Sequence, residues 1–160
     1  ASRRCDREAG SARKVVRVVA VWSVQYEGAT FERFLFSLPA YEQAVLVAAI
    51  QHVLQPYGID ICSGEWGKPL GDGLYEFRVR KSLRTILRNA DLDVQDEPGT
   101  DEPGTDRGVL LRVSCTFYGD KIVLLHHGYN KKTDPTEKRQ QREIAKARKF
   151  HERWKRQRKS

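Results

Sequence analysis

Cysteine is scarce in this chain: Cys5, Cys62 and Cys115 are odd in number, widely separated and without a CxxC pair. Such usage argues against a disulfide framework and suits a reduced, cytoplasmic setting, with Cys62 and Cys115 as small apolar filler. Metal-ligand spacing is missing as well. The adjacent His126 and His127 should point to opposite faces of a strand, which speaks against joint chelation, so no metal or other cofactor is expected. Long apolar runs are also lacking. None approaches the roughly 18 residues of a spanning helix, and 15–24 is too short and too strand-like for a signal core, so no membrane role is expected. Finally, residues 91–106 lack any Lys or Arg, hold seven acids, and contain EPGTD twice in tandem, at 97–101 and 102–106. Pro, Gly and like charge at that density predict a disordered acidic insertion, at about 89–108.

What is abundant is positive charge in one place. Residues 131–160 hold 13 Lys and Arg against 4 Asp and Glu, a net of +9, so residues 1–130 carry −1 of the chain's +8. A one-signed excess of that size attracts a polyanion, for which RNA or DNA is the usual candidate. The 160 residues, 39% hydrophobic and 31% charged, suffice for one core, so a single domain over 14–158 behind a flexible polar tail, 1–13, is expected.

Valine-rich 15–24 reads as a strand. Phe31, Phe34, Leu35 and Leu38 follow helical spacing behind a possible Thr30 cap, and Pro39 opens a second helix, with Leu46, Ile50, Val53, Leu54 and Tyr57 as its apolar face. The two make a helix hairpin lying on a sheet. A glycine-rich connector follows, and then 74–80 alternates: Tyr75, Phe77 and Val79 against Glu76, Arg78 and Arg80. Ser82 to Asn89 has the apolar residues for a helical turn or two. Residues 109–117 and 122–129 are strands joined by a tight turn at 118–121, and 136–158 is a basic helix with a sparse apolar stripe of Ile144, Ala147, His151 and Trp154.

Three patches, TFERFLFSLP (30–39), GDGLYEFRV (71–79) and IVLLHHGYNKKT (122–133), resemble the RelE/ParE toxin superfamily, closest to its HigB-like, phage-derived branch. The resemblance covers about 22–154. It implies an α+β fold: a RelE-like twisted antiparallel β-sheet with an N-terminal helix hairpin on one face and a basic C-terminal helix. It also implies the toxin of a type II toxin–antitoxin pair, most studied members of which cleave mRNA on the ribosome by attack of the 2′-hydroxyl on the adjacent phosphate, without metal. The implied partners are mRNA, the ribosome and a cognate antitoxin, expected to be a helix-turn-helix protein. The ParE branch instead poisons gyrase, and a non-catalytic RNA-binding module is a further alternative.

Cleavage by that route needs a base, positive charge on the phosphorane and an acid. Arg78 and Arg112, on neighbouring strands, offer planar donors suited to phosphate; otherwise they pair with Glu76 on a solvated sheet face. Lys131 and Lys132 match the family's Lys-Lys pair, where clustered cations can depress one lysine toward neutrality while the other stays charged; which does which is open. His127 occupies a family position and is a proton-transfer candidate, or else a hydrogen-bonded core histidine. Arg80, Tyr129, Lys138, Arg139, Arg142, Lys146 and Lys149 are the expected RNA contacts, with Tyr129 either stacking on a base or packing. The acidic insertion, set between two strands of this face, either weakens RNA binding until displaced or is a tolerated surface loop.

Overall fold

A computed structural model describes residues 21–91, 106–133 and 135–159. The expected tail at 1–13, most of the expected strand at 15–24 and the EPGTD repeats up to residue 105 lie outside the described residues. The architecture is α+β: a five-stranded sheet in the order β1-β5-β4-β3-β2, with strands Ser23–Tyr26 (β1), Gly67–Gly71 (β2), Leu74–Val79 (β3), Leu111–Tyr118 (β4) and Ile122–Asn130 (β5). The sheet is mixed, which corrects the expectation of an antiparallel one. β1 pairs with β5 in parallel, Ser23 to Ile122 through Tyr26 to Leu125, and the other neighbours are antiparallel. A parallel neighbour needs a long crossover, and residues 27–121 lie between these two strands. A second correction concerns the glycine-rich connector, part of which is strand β2, an edge strand where Pro69 costs no ladder bond.

One sheet face carries Phe77, Val79, Leu111, Val113, Cys115, Val123 and Leu125, buried in the main core. Helices α1 (Thr30–Ser37) and α2 (Ala40–Ala49) supply Phe31, Leu35, Val45, Leu46 and Ala49 to it, and α3 (Leu83–Asn89) supplies Leu83, Ile86 and Leu87. Pro39 stands one residue before α2 rather than inside its first turn. The Ser82 hydroxyl caps α3, accepting from the Thr85 N–H at 3.2 Å. Burial pushes the Cys115 thiol well above its ordinary range, as expected of filler.

Beyond Ala49 the helix widens into a π turn over Ile50–Leu54, returns to α for Gln55–Tyr57 and tightens to 3-10 over Gly58–Ser63. Pro56 gives the reason. It has no N–H for the His52 carbonyl four residues back, and its ring would crowd that oxygen; a wider turn avoids both. Gly58, at φ +52°, ends the α segment where an added Cβ would lie 2.0 Å from the Trp22 ring. Tyr57 is 58% exposed, so it does not belong to the buried face. Against the expectation that no apolar stretch is so long, Ala40–Ser63 contains an 18-residue window of mean hydropathy 1.3. Val45, Leu46, Ala48, Ala49, Leu54 and Ile61 of this run are buried in the core, which accounts for its hydropathy.

The opposite sheet face carries Leu74, Glu76 and Arg78 from β3, Arg112, Ser114 and Thr116 from β4, and Leu124, His126, His127 and Tyr129 from β5. Helix α4 (Glu137–Lys159) lies across part of it, burying Ala147 and His151 and half-burying Ile144 and Trp154 as the sparse stripe requires. The two histidines share this face, contrary to strict alternation. Ser114 pairs with His127 but Cys115 pairs with Leu125, so β5 bulges by one residue. The extra residue cancels one reversal of direction.

The C-terminal end of the acidic segment is tied to the helical side. Arg84 holds Asp106 at 2.6 Å. The Tyr41 hydroxyl donates to the Arg107 carbonyl at 2.5 Å and the Arg107 guanidinium covers the Tyr41 ring at 4.4 Å.

Candidate functional site

The strongest electrostatic feature of the second face begins with Glu76. Its side chain is 4% exposed, and its Oε1 accepts from Arg78 Nε at 3.1 Å and Arg112 Nη1 at 2.9 Å. Arg78 and Arg112 are direct cross-strand partners. Like charges so placed repel, and the carboxylate beside them offsets that repulsion. The alternation of β3 makes this possible: Glu76 and Arg78 are two residues apart and so share a face. Exposure differs sharply, with the Arg78 side chain at 22% and that of Arg112 at 4%.

Lys131 follows directly on β5, its N–H donating to the Leu110 carbonyl at 2.8 Å. The Arg112 guanidinium, then desolvation, then Arg78 hold its ammonium below the usual lysine range, outweighing the opposite pull of Glu76. Lys132 turns elsewhere: its Nζ donates to the Gly108 carbonyl at 3.1 Å and its N–H to Asn130 Oδ1 at 3.0 Å. Arg80 lies at the strand end with Glu65 at 3.1 Å, a carboxylate it shares with Lys81.

His127 and Tyr129 sit deeper. His127 Nε2 is 2.7 Å from Glu143 Oε1 of α4, and its ring packs on Phe150 at 5.8 Å. Tyr129, the cross-strand partner of Arg112, is 6% exposed. Burial, then the Glu76 charge, push its phenol up to about 12. Of the two roles open to Tyr129, packing is the one the structure has. A cavity of about 10 Å³ bounded by Glu76, Ser114, His127, Tyr129 and Glu143 separates α4 from the strands. That is room for one water at most. A nucleotide cannot enter there, so the accessible part of the cluster is its outer end, at Arg78, Arg80 and Lys131.

The helix divides its cations between two jobs. Arg139 turns inward, with Nε on Glu143 at 3.0 Å, Nη1 on Thr133 Oγ1 at 3.0 Å, and the guanidinium 5.2 Å from the centre of the Tyr129 ring. It fastens α4 to the end of β5. Lys146 also leans on Glu143, at 3.7 Å, while staying half exposed. Lys138, Arg142 and Lys149 are exposed along the outer side. Burial raises the Glu143 carboxyl, but the hydrogen bonds from His127 and Arg139 outweigh it and leave it below the ordinary range.

Sequence reasoning missed Glu143 and Arg148, whose guanidinium donates to the Leu70 and Gly71 carbonyls at the β2–β3 turn. A signal for Glu143 was present. It is one of 4 acids in 131–160 and lies four residues from Ala147 and eight from His151, on the side of the helix that docks. Among the described residues no group of three or more His, Cys, Asp and Glu side chains could hold a metal ion. In comparisons with known proteins, no family model, no curated protein and no solved structure matches this chain.

Proposed function

We propose that this protein is the toxin of a type II toxin–antitoxin pair and cleaves mRNA on the ribosome. The observation that carries the reading is the guanidinium pair of Arg78 and Arg112 held by one buried carboxylate beside a lysine of lowered pKa. Cations fixed before substrate arrives need no reorganisation as charge develops on a phosphorane. In this reading Arg78 and Arg80 hold the scissile phosphate, and Arg112 acts from below by holding Glu76 in place and by favouring the neutral amine of Lys131.

The neutral amine takes the proton of the 2′-hydroxyl as that oxygen bonds to phosphorus. The bond from phosphorus to the 5′-oxygen then breaks, and that oxygen takes its proton from solvent, since Lys132 is turned to the Gly108 carbonyl. The products are a 2′,3′-cyclic phosphate and a 5′-hydroxyl. His127, engaged by Glu143 under α4, takes no part. Lys138, Arg142 and Lys149 contact the RNA backbone of the ribosome, which positions the enzyme without reading sequence. The antitoxin, a helix-turn-helix protein, covers the same basic face.

A second reading, an RNA-binding module without cleavage, draws on the burial of Arg112 and the engagement of His127. Programmed ribosomes incubated with the purified protein separate the two. Cleavage with cyclic-phosphate ends, lost in Arg78→Ala and Lys131→Ala while circular dichroism shows both variants folded, supports the nuclease. Binding without cleavage supports the module. Growth arrest with intact mRNA and a DNA-damage response would instead favour a gyrase inhibitor.

A further inference from the structure

A concavity of about 290 Å³ on the helical side of the sheet lies between the π turn, the 3-10 segment and α3. That is at the small end of the range for ligand sites, ~300–1,000 Å³. His52 of the π turn, Asp60 and Ser63 of the 3-10 segment, Trp66 ahead of β2 and Asn89 at the end of α3 contribute to its wall. Trp66 is fixed in orientation by stacking on the core residue Phe77, with centroids 6.0 Å and planes 24° apart. The π turn forced by Pro56 brings His52 and Val53 to the opposing wall. The Ser63 hydroxyl is used locally, donating to the Asp60 carbonyl at 2.8 Å. The side chains of His52, Asp60 and Asn89 have no hydrogen-bond or ion-pair partner among the described residues.

Charge separates this cavity from the cationic cluster. No Lys or Arg lines it, and Phe77, beneath Trp66, faces the side of the sheet opposite to Glu76 and Arg78. A phosphate would find no counter-charge here.

We propose that the cavity binds a small planar heterocycle carrying two adjacent N–H donors, with guanine, as guanosine, the biological example. The indole of Trp66 and the imidazole of His52 supply flat faces for stacking. The Asp60 carboxylate accepts from a pair of neighbouring N–H groups, which guanine offers at N1 and its exocyclic amine. Adenine sets an acceptor beside its amine and so places a lone pair against the carboxylate. Asn89, able to donate and accept, serves the remaining edge. The site is independent of the proposed nuclease activity and stands or falls separately from it.

Calorimetric titration of the full chain with guanosine, adenosine and guanosine 5′-monophosphate tests it. Guanosine is expected to bind at least ~10-fold more tightly than adenosine, the discrimination of one good bidentate pair. The monophosphate should bind no more tightly than guanosine. Asp60→Asn, at an exposed position, should erase the preference; His52→Ala should weaken all three ligands; Arg78→Ala should change nothing. The proposal is overturned by absence of nucleoside binding at millimolar concentration, by equal affinity for guanosine and adenosine, or by a preference that survives Asp60→Asn. It is equally overturned by binding that Arg78→Ala abolishes, which would place the base at the cationic cluster instead.

Discussion

His126 and His127 are consecutive in β5, yet both side chains meet α4. His126 contacts the rings of His151 and Trp154, at 5.8 and 6.3 Å between centroids, while His127 bonds Glu143 at 2.7 Å. The bulge opposite Ser114 and Cys115 causes this. It places three of the chain's four histidines at one helix–sheet interface, and two of them, His126 at 0% and His151 at 2% exposure, are sealed from water.

Acid should therefore loosen α4. Burial pushes the His126 imidazole down, partly offset by Glu27, and pushes His151 down with help from the charges of His126 and Lys155. The other groups facing them are Thr116, Trp154, Arg148 and Glu152. The unfolded chain protonates these histidines near pH ~6.5. Above that value both states are neutral. Below it the unfolded chain gains protons that the folded chain refuses, so stability falls until the pH has passed the folded-state values. Glu143 adds a later loss at lower pH, as its depressed carboxyl protonates. Melting temperature should drop between pH 7.5 and 5, and His151→Leu should flatten the drop. An unchanged slope in that variant would sink the idea.

Legibility followed from whether a feature depends on one strand or on two. The alternation of β3 and the pattern of β4 are properties of single segments, so Arg78 and Arg112 could be placed on one polar face from sequence. Strand β2 could not, because Gly67, Pro69 and Gly71 carry turn chemistry and only pairing with β3 makes them a strand. The bulge at His126 exists only relative to β4 and left no local trace. The docking stripe of α4 was readable, but not its landing on the polar face, where it encloses His127 and Tyr129. Lys131 and Lys132 look equivalent in a sequence; the end of β5 sends one toward Arg112 and the other to the Gly108 carbonyl.

Removing the carboxylate of Glu76 should be costly for folding as well as for RNA binding. Glu76→Ala leaves the Arg112 guanidinium, 4% exposed, without its counter-charge. Breaking such a buried pair from one side costs about 3–5 kcal/mol. Arg78→Ala should cost under ~1 kcal/mol, because the Arg78 side chain is 22% exposed and solvent screens its charge. Adding Arg112→Met to Glu76→Ala should recover much of the loss. Urea unfolding of the four proteins checks the ranking, and equal costs for Glu76→Ala and Arg78→Ala would contradict it.

Gly128 joins two of the three sequence patches that suggested the family. An added Cβ there would lie 2.4 Å from both Cδ2 and Cε2 of Phe34, so α1 packs on β5 through the missing side chain. The position cannot be relieved by turning away, since Gly128 pairs with Val113 in mid-strand and its Cβ direction is set by the sheet. Phe34 is only partly buried and its ring can yield by some tenths of an ångström, which limits the penalty. Gly128→Ala should destabilise by about 1–3 kcal/mol, the usual cost of overpacking, and Gly128→Val by more. Shortening the opposing ring with Phe34→Leu should restore part of the stability in the Gly128→Ala background while costing stability alone. That reversal of sign in a double-mutant cycle, measured by urea unfolding, identifies the steric contact itself; strictly additive effects would mean that the glycine is needed for its backbone and not for its lack of a side chain.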